Sequence, residues 1–401
     1  MEYKLTEKMY NTEISMIRRI GELAEKSLKP GDRYVSFAAG FPAPAALPVD
    51  MVNKVSEEVF KENGTQILQY GLQTGYEPLK EAIIKFLNKD EYKIAGSNDS
   101  ILITYGSSEG LYILGDAFIE PGDRVIVEDP TYINAKDAFK LSGARLVGVP
   151  IEEDGVNLEA LEQAFKEGAK FFYTIPTFAN PTGYTTSVEK RKAVYELAVK
   201  YGIPVVEDNP YGYLRFTDEK IMPIKTYDTQ GAVIYVGTMS KIISPGMRVG
   251  YICADKELID RLTKLKGNQC GAVVNWSQYA ITKILETVDI DAHIAYISQI
   301  YAKKAEFMYN KMKEYFHPSV KICKPQGGMF IWVTMPENVK ALEFCETAAK
   351  ELHVSVVPGN DFCTEDPDNC SSMRFNFSLP SEDDIEYGIK KIGELTYKYC
   401  K

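Results

Sequence analysis

From residue 100 onward the chain alternates short apolar runs with longer stretches in which apolar residues recur every three or four positions. The runs at 101–104, 124–127, 170–175, 203–206, 232–236 and 250–253 have strand length and are largely apolar at successive positions, as in strands covered on both faces. Between them, 111–119, 158–165 and 187–201 read as helices. The last carries Val194, Leu197, Ala198 and Tyr201 on one face, with Thr186 and Glu189 spaced as a capping box at its start. This alternation predicts an α/β fold whose mainly parallel, mixed sheet is covered by helices, with ligands taken at the carboxyl ends of the strands.

Beyond about residue 256 the pattern turns helical, at 257–266 and 289–315. The C-terminal part then mixes strands at 329–333, 354–357 and 373–377 with helices at 341–352 and 381–399, which predicts a second, smaller α/β domain. Before residue 100 there is an amphipathic patch over 14–24, with Ile17, Ile20 and Leu23 at helical spacing. A proline-rich loop leads to Pro48, and a helix is expected over 77–87. We expect an N-terminal arm and part of the small domain over 1–48, a large domain over 49–290 and a small domain over 291–401.

Composition removes several classes of function. With 401 residues, 45% hydrophobic and 25% charged, the chain reads as globular and long enough for two domains. A net charge of -10 argues against nucleic acid, and Lys190-Arg191-Lys192 on a predicted helix reads as a solvated face. The polar start lacks the apolar core of a secretory signal, and no apolar run reaches membrane length. Seven cysteines, odd in number, scattered and without a Cys-x-x-Cys pair, read as reduced thiols in a cytoplasm. His293, His317 and His353 are not spaced against Cys or Glu as metal ligands, so no metal is expected.

The chemistry gathers behind the predicted strands. After 232–236, Gly237 breaks the run, and Thr238, Ser240 and Lys241 precede Pro245, Gly246 and Arg248. A lysine at the edge of a buried strand loses hydration, which favours its neutral, nucleophilic form, as does a nearby cation. Gly106-Ser107-Ser108 joins a strand to a helix, whose free N–H groups suit a phosphate, although serine there is also an ordinary cap. Glu207-Asp208 places a carboxylate at a strand end, with Tyr211 close behind, and the two acids are rivals differing by one position in register. Arg374 interrupts an alternating strand and needs an anionic partner, a carboxylate ligand or a structural acid.

The run Thr-Met-Ser-Lys-Ile-Ile-Ser-Pro-Gly-Met-Arg-Val-Gly-Tyr at 238–251 resembles the cofactor-lysine motif of pyridoxal-phosphate aminotransferases of fold type I, class I/II. Within that family it is most similar to the group containing 2-aminoadipate and kynurenine aminotransferases. Gly106-Ser107-Ser108-Glu109-Gly110-Leu111, Asn180-Pro181-Thr182-Gly183, Gly327 to Trp332 and Val357-Pro358-Gly359 extend the resemblance over almost the whole chain.

The resemblance implies a role for each position. Lys241 would carry pyridoxal 5'-phosphate as a Schiff base, with Ser107, Ser108, Thr238, Ser240 and Arg248 around the phosphate. Tyr132 would lie flat on the ring, Asn180 and Tyr211 would share its hydroxyl oxygen, and Asp208 would keep its nitrogen protonated. Arg374 would bind the substrate α-carboxylate beside Asn180. The loop at Ala39, where relatives commonly have glycine, would touch substrate, and Arg18 or Arg19 would lie over the entrance. Tyr70 would reach the partner's cofactor in a homodimer with shared sites. The implied activity is transfer of an amino group from an aromatic, 2-aminoadipate or branched-chain amino acid to 2-oxoglutarate or another 2-oxo acid, in ping-pong fashion. The alternatives on the same fold are a β-lyase or decarboxylase, and a non-catalytic effector sensor.

Overall fold

The sheet is built where the apolar runs predict it. In the computed structural model, which describes residues 3–10, 14–89 and 92–400, eight strands pair in one sheet. Their order is Asp99–Thr104, Gly250–Asp255, Val233–Thr238, Val205–Asp208, Phe172–Thr174, Arg124–Asp129, Arg145–Glu152 and Gly155–Val156. Most neighbours are parallel; Gly250–Asp255 runs against both of its partners, and Gly155–Val156 against Arg145–Glu152. The fold is therefore α/β with a mixed, mainly parallel sheet, as expected. Val205–Asp208 and Val233–Thr238 are buried along their whole length. Their apolar side chains divide between two cores, Val206, Ile234 and Val236 in one and Val205 and Val233 in the other. Removing so much apolar surface from water, at about 25 cal/mol per Å2, is what holds helices to both faces.

Contacts divide the chain into two units: Pro42–Lys303 with Pro325–Gly328, and Met1–Phe41 with Lys304–Lys324 and Met329–Lys401. The sequence pattern instead breaks after 48 and 290. The helix Ile290–Tyr315 runs without interruption through the division at Lys303, so hydrophobic periodicity carries no signal there. The smaller unit has an antiparallel sheet in the order Lys321–Ile322, Phe330–Thr334, Ser372–Asn376, Val357–Pro358. Helices Met16–Ser27, Ala341–Leu352 and Glu382–Tyr399 belong to the same unit.

Two sequence expectations are corrected. The helix Val188–Tyr201 is capped by Ser187, whose side chain accepts from the Lys190 N–H, so the Thr186–Glu189 capping box lies one residue off. The triplet Lys190-Arg191-Lys192 is not a solvated face: Arg191 is 0% exposed. Its Nε donates to the Thr186 carbonyl at 2.8 Å, and its Nη2 donates to the Pro176 carbonyl at 2.5 Å and to Thr177 Oγ1 at 2.8 Å. Burial brings this guanidinium down to about 10, which leaves it charged at neutral pH, helped by the Glu207 carboxylate 3.9 Å away.

Candidate active site

The register of the sheet assembles one corner of the site. Thr104 and Thr238, at the ends of their strands, both pair with Gly250, the first residue of the antiparallel strand between them. The residues just beyond the two threonines and those just before Gly250 must therefore meet. These are Ser107 and Ser108, opening the helix Ser107–Phe118; Ser240 and Lys241; and Arg248. The helix N-cap is Gly106, at φ 77°, so neither serine is the cap and the first N–H groups are left to a ligand. Arg248 Nη2 donates to the Tyr105 carbonyl at 3.1 Å. A Cβ on Gly106 would lie 2.3 Å from that nitrogen, and one on Gly250 would lie 2.5 Å from the Ser107 nitrogen. Only glycine lets guanidinium, helix terminus and strand end approach so closely. Thr238 and Ser240 are buried, their hydroxyl oxygens 2.9 Å apart, and the Ser240 N–H donates to Thr238 Oγ1 at 3.1 Å. The set of cation, hydroxyls and free amides suits a phosphate.

The neighbouring strand supplies the acid. Asp208 pairs with Val236 at the same sheet edge, is 1% exposed, and accepts from the Tyr173 hydroxyl through Oδ2 at 2.8 Å. Its Oδ1 is buried without a hydrogen-bond partner among the described residues. Burial raises this carboxyl to about 7, against the opposing bond from Tyr173, and the same burial drives the Tyr173 hydroxyl well above the ordinary phenol range. A buried acceptor with no donor costs about 1–3 kcal/mol, and a protonated ring nitrogen would satisfy it. Strand alternation decides between the two acids. Glu207 points to the opposite face, where it accepts from the Ile224 and Lys225 N–H groups at 2.9 and 2.8 Å.

Beyond the next strand, Phe172–Thr174, the wholly buried turn at Asn180 is tied at both ends by Arg191. The Gly183 N–H closes it on the Ala179 carbonyl at 2.7 Å. Glu128, buried and raised by burial to about 7, accepts from Thr174 Oγ1 at 2.6 Å and from the Ile175 N–H at 3.2 Å just before that turn. Tyr132 is half-buried before the helix Ile133–Leu141, and Tyr211 is 5% exposed three residues beyond Asp208. The glycine pair at 327–328 also acquires a reason: a Cβ on Gly327 would stand 2.3 Å from the Phe178 ring, and Gly328 has φ 71°. Two glycines are what the Asn180 loop can accept against it.

In the smaller unit Arg374 is 2% exposed, with Nη2 donating to the Ala38 carbonyl at 2.6 Å. Its guanidinium lies 4.2 Å from the Phe330 ring centroid and 5.1 Å from that of Phe362, contacts worth about 2 kcal/mol when desolvated. The loop containing half-buried Ala39 is thus brought to Arg374. Arg18 is in an exposed ion pair with Glu22 at 2.9 Å, and Arg19 pairs with Glu346. Tyr70, on the segment before the helix Glu77–Leu87, is 97% exposed. Sequence reasoning missed Tyr173, Arg191, Phe330 and Phe362. Only Arg191 left a signal, as a charge on the apolar side of its helix.

A cation with hydroxyls and helix N–H groups, a lysine behind a buried strand and a buried carboxyl with an unpartnered oxygen are what binding of pyridoxal phosphate requires. Residues 34–392 match the family described as aminotransferase class I and II, so the chain belongs to that family and is a pyridoxal-phosphate-dependent transaminase. Aromatic-amino-acid aminotransferase 1 of Thermococcus litoralis is 38% identical, over 100% of this chain and 95% of that protein. The 2-aminoadipate transaminase of Thermus thermophilus is 30% identical, over 93% and 92%. Kynurenine aminotransferase of Pyrococcus horikoshii, solved in complex with PMP, superposes with a TM-score of 0.93 at 34% identity, covering 99% of this chain and 98% of that one. Among the described residues no helix is long and apolar enough to cross a membrane, and no cluster of metal-ligating side chains occurs.

Proposed function

We propose that the chain transfers the amino group of an aromatic, 2-aminoadipate or branched-chain amino acid to 2-oxoglutarate or a similar 2-oxo acid, with Lys241 as catalytic base. The observation that carries this reading is the unpartnered Oδ1 of buried Asp208 on the strand next to the one that leads into Lys241. The names of the relatives support the donor class. Pyridoxal phosphate, when bound, supplies an electron sink for charge developing at the donor Cα. Ser107, Ser108, Thr238, Ser240 and Arg248 would hold its phosphate. Tyr132 would back the ring, Asn180 and Tyr211 would hold its hydroxyl oxygen, and Asp208 would keep the proton on its nitrogen. Lys241 Nζ would take the proton from the donor Cα. Arg374 orients the donor carboxylate, an anion common to all these substrates.

The test is an absorption spectrum with and without amino acids. Aromatic donors should bleach the visible cofactor band in the absence of any oxo acid, and 2-oxoglutarate should restore it. Ammonia release from a single substrate would instead indicate a lyase. Arg374→Ala is expected to raise KM for every amino donor by roughly 10²-fold or more, by removing binding common to all of them. An increase confined to one donor would overturn the assignment.

Tyr70 also supports a homodimer with shared sites, because an aromatic side chain so exposed, beside exposed Leu68 and Leu72, is unusual in a chain alone. Co-expressing Tyr70→Ala with Lys241→Ala should restore activity through hybrid dimers that contain one complete site. Two variants that stay inactive together, though shown to associate, would remove Tyr70 from the partner's site.

A further inference from the structure

The scattered cysteines are not all apart. Cys363 and Cys370 bracket a loop that folds back on itself: Sγ of one lies 3.7 Å from Sγ of the other, and both side chains are half-buried. The loop is held from within. The turn Gly359–Asp361 leads into Cys363, whose N–H donates to the Gly359 carbonyl at 3.2 Å. The turn Pro367–Asn369 leads into Cys370, whose N–H donates to the Pro367 carbonyl at 3.3 Å. Asn360 Nδ2 ties the two turns through the Pro367 carbonyl at 2.6 Å. Cys370 is also fixed from outside, because its carbonyl accepts from the Ala341 N–H at 2.9 Å and its sulfur fills the space a Cβ on Gly359 would need, 2.4 Å away. Gly359 is therefore required by the thiol beneath it. Phe362, next to Cys363, is the ring that lies over Arg374 and meets Trp332 edge-on.

We propose that Cys363 and Cys370 are a modification site, a dithiol that closes to a disulfide on reaction with a low-molecular-weight disulfide, and that closure is felt at Arg374 through Phe362. The effect on Arg374 rests on its proposed role in carboxylate binding; formation of the bond does not. Cys363 attacks as thiolate, forming a mixed disulfide and expelling one small thiol. Cys370, in contact, then attacks the Cys363 sulfur and expels the second. The protein loses two protons and two electrons, and the small disulfide is reduced to two thiols. Cys345, on the adjoining helix, is fully buried and its thiol is pushed well above the ordinary range by burial, so it is a poor competitor as thiolate. Bond formation draws the sulfurs from contact to about 2.05 Å, moving Cys363 and the ring beside it.

The experiment equilibrates the cofactor-loaded enzyme with oxidised or reduced glutathione and then reads intact mass, non-reducing peptide maps, melting and kinetics. Oxidation should give a species lighter by two hydrogens with a single Cys363–Cys370 cross-link. It should melt a few degrees higher because the unfolded chain is constrained, and it should be restored by reductant. KM for all amino donors should rise together, roughly twofold or more, with kcat less affected. Cys363→Ser should remove the cross-link and the redox dependence, and Cys370→Ser should do the same, whereas Cys345→Ser should keep both. Stable glutathione adducts without a cross-link, or a cross-link through Cys345, would overturn the site. A Cys363–Cys370 bond that leaves KM unchanged would overturn its connection to Arg374.

Discussion

Replacing Lys241 with alanine is expected to abolish transamination while leaving the fold and the phosphate cradle intact. Lys241 follows the buried strand Val233–Thr238 in a half-buried turn, and its neighbours Ile242 and Ile243 are buried in its place. Truncation thus removes an amine from the site without opening the core. The loss should be on the order of 10⁵-fold or more, the scale seen when a group acting as nucleophile and base is deleted. Ser107, Ser108, Thr238, Ser240 and Arg248 remain, so the variant should still take up pyridoxal phosphate, more weakly, and release it on dialysis. Borohydride, which fixes the cofactor covalently to the wild-type enzyme, should fix none. The checks are single-turnover kinetics, borohydride labelling and a thermal melt of the apo-protein. A variant that turns over normally, or that is labelled at another lysine, would remove Lys241 from its place. A variant that fails to fold would show at once in the melt, and Lys241→Arg, which keeps charge and length without a nucleophilic amine, would then carry the test.

How much of each feature the sequence reveals depends on the periodicity that feature obeys. The strands that carry the site are apolar on both faces, and this is visible as continuous runs. The choice between Glu207 and Asp208 is not visible, because both faces of Val205–Asp208 are buried and the hydrophobic pattern cannot say which acid faces the site. It takes the partners of Glu207, the Ile224 and Lys225 N–H groups, to decide. Arg191 left only a weak signal: it falls on the face of Val194 and Ala198, but a guanidinium between two lysines looks solvated until the carbonyls of Pro176 and Thr186 are placed around it. The helices Val49–Ile67 and Asn275–Thr287 and the strand Arg145–Glu152 also escaped the pattern. All of that strand but Val149 is half-exposed or exposed, and Gly148 and Pro150 interrupt its propensity. The contact of Cys363 with Cys370 depends on two short turns that no periodicity encodes.

Asp208→Asn should have opposite effects in the empty and the loaded protein. In the empty protein the carboxyl is raised to about 7, from an ordinary value of 3.8, by burial. The folded state therefore holds this proton more tightly than the unfolded chain does. Asp208 costs nothing below about pH 4, its cost grows as pH rises from there to about 7, and it is constant above. Asparagine has no charge to desolvate and still offers an oxygen to the Tyr173 hydroxyl. The variant apo-protein should therefore be more stable than wild type at pH 8, by at most about 4 kcal/mol, and equal to it near pH 4. With pyridoxal phosphate bound the sign reverses. A cationic ring nitrogen gives the Asp208 carboxylate its partner, whereas an amide cannot hold that proton, so cofactor affinity should fall. The electron sink weakens with it, and kcat should drop by roughly 10²- to 10³-fold, the range for loss of one preorganised electrostatic contact. Denaturant titrations at pH 4.5 and 8, with and without cofactor, separate the two effects. Equal loss of stability in both forms would mean that Asp208 is a structural acid. Wild-type kcat in the variant would mean that the ring nitrogen is held elsewhere.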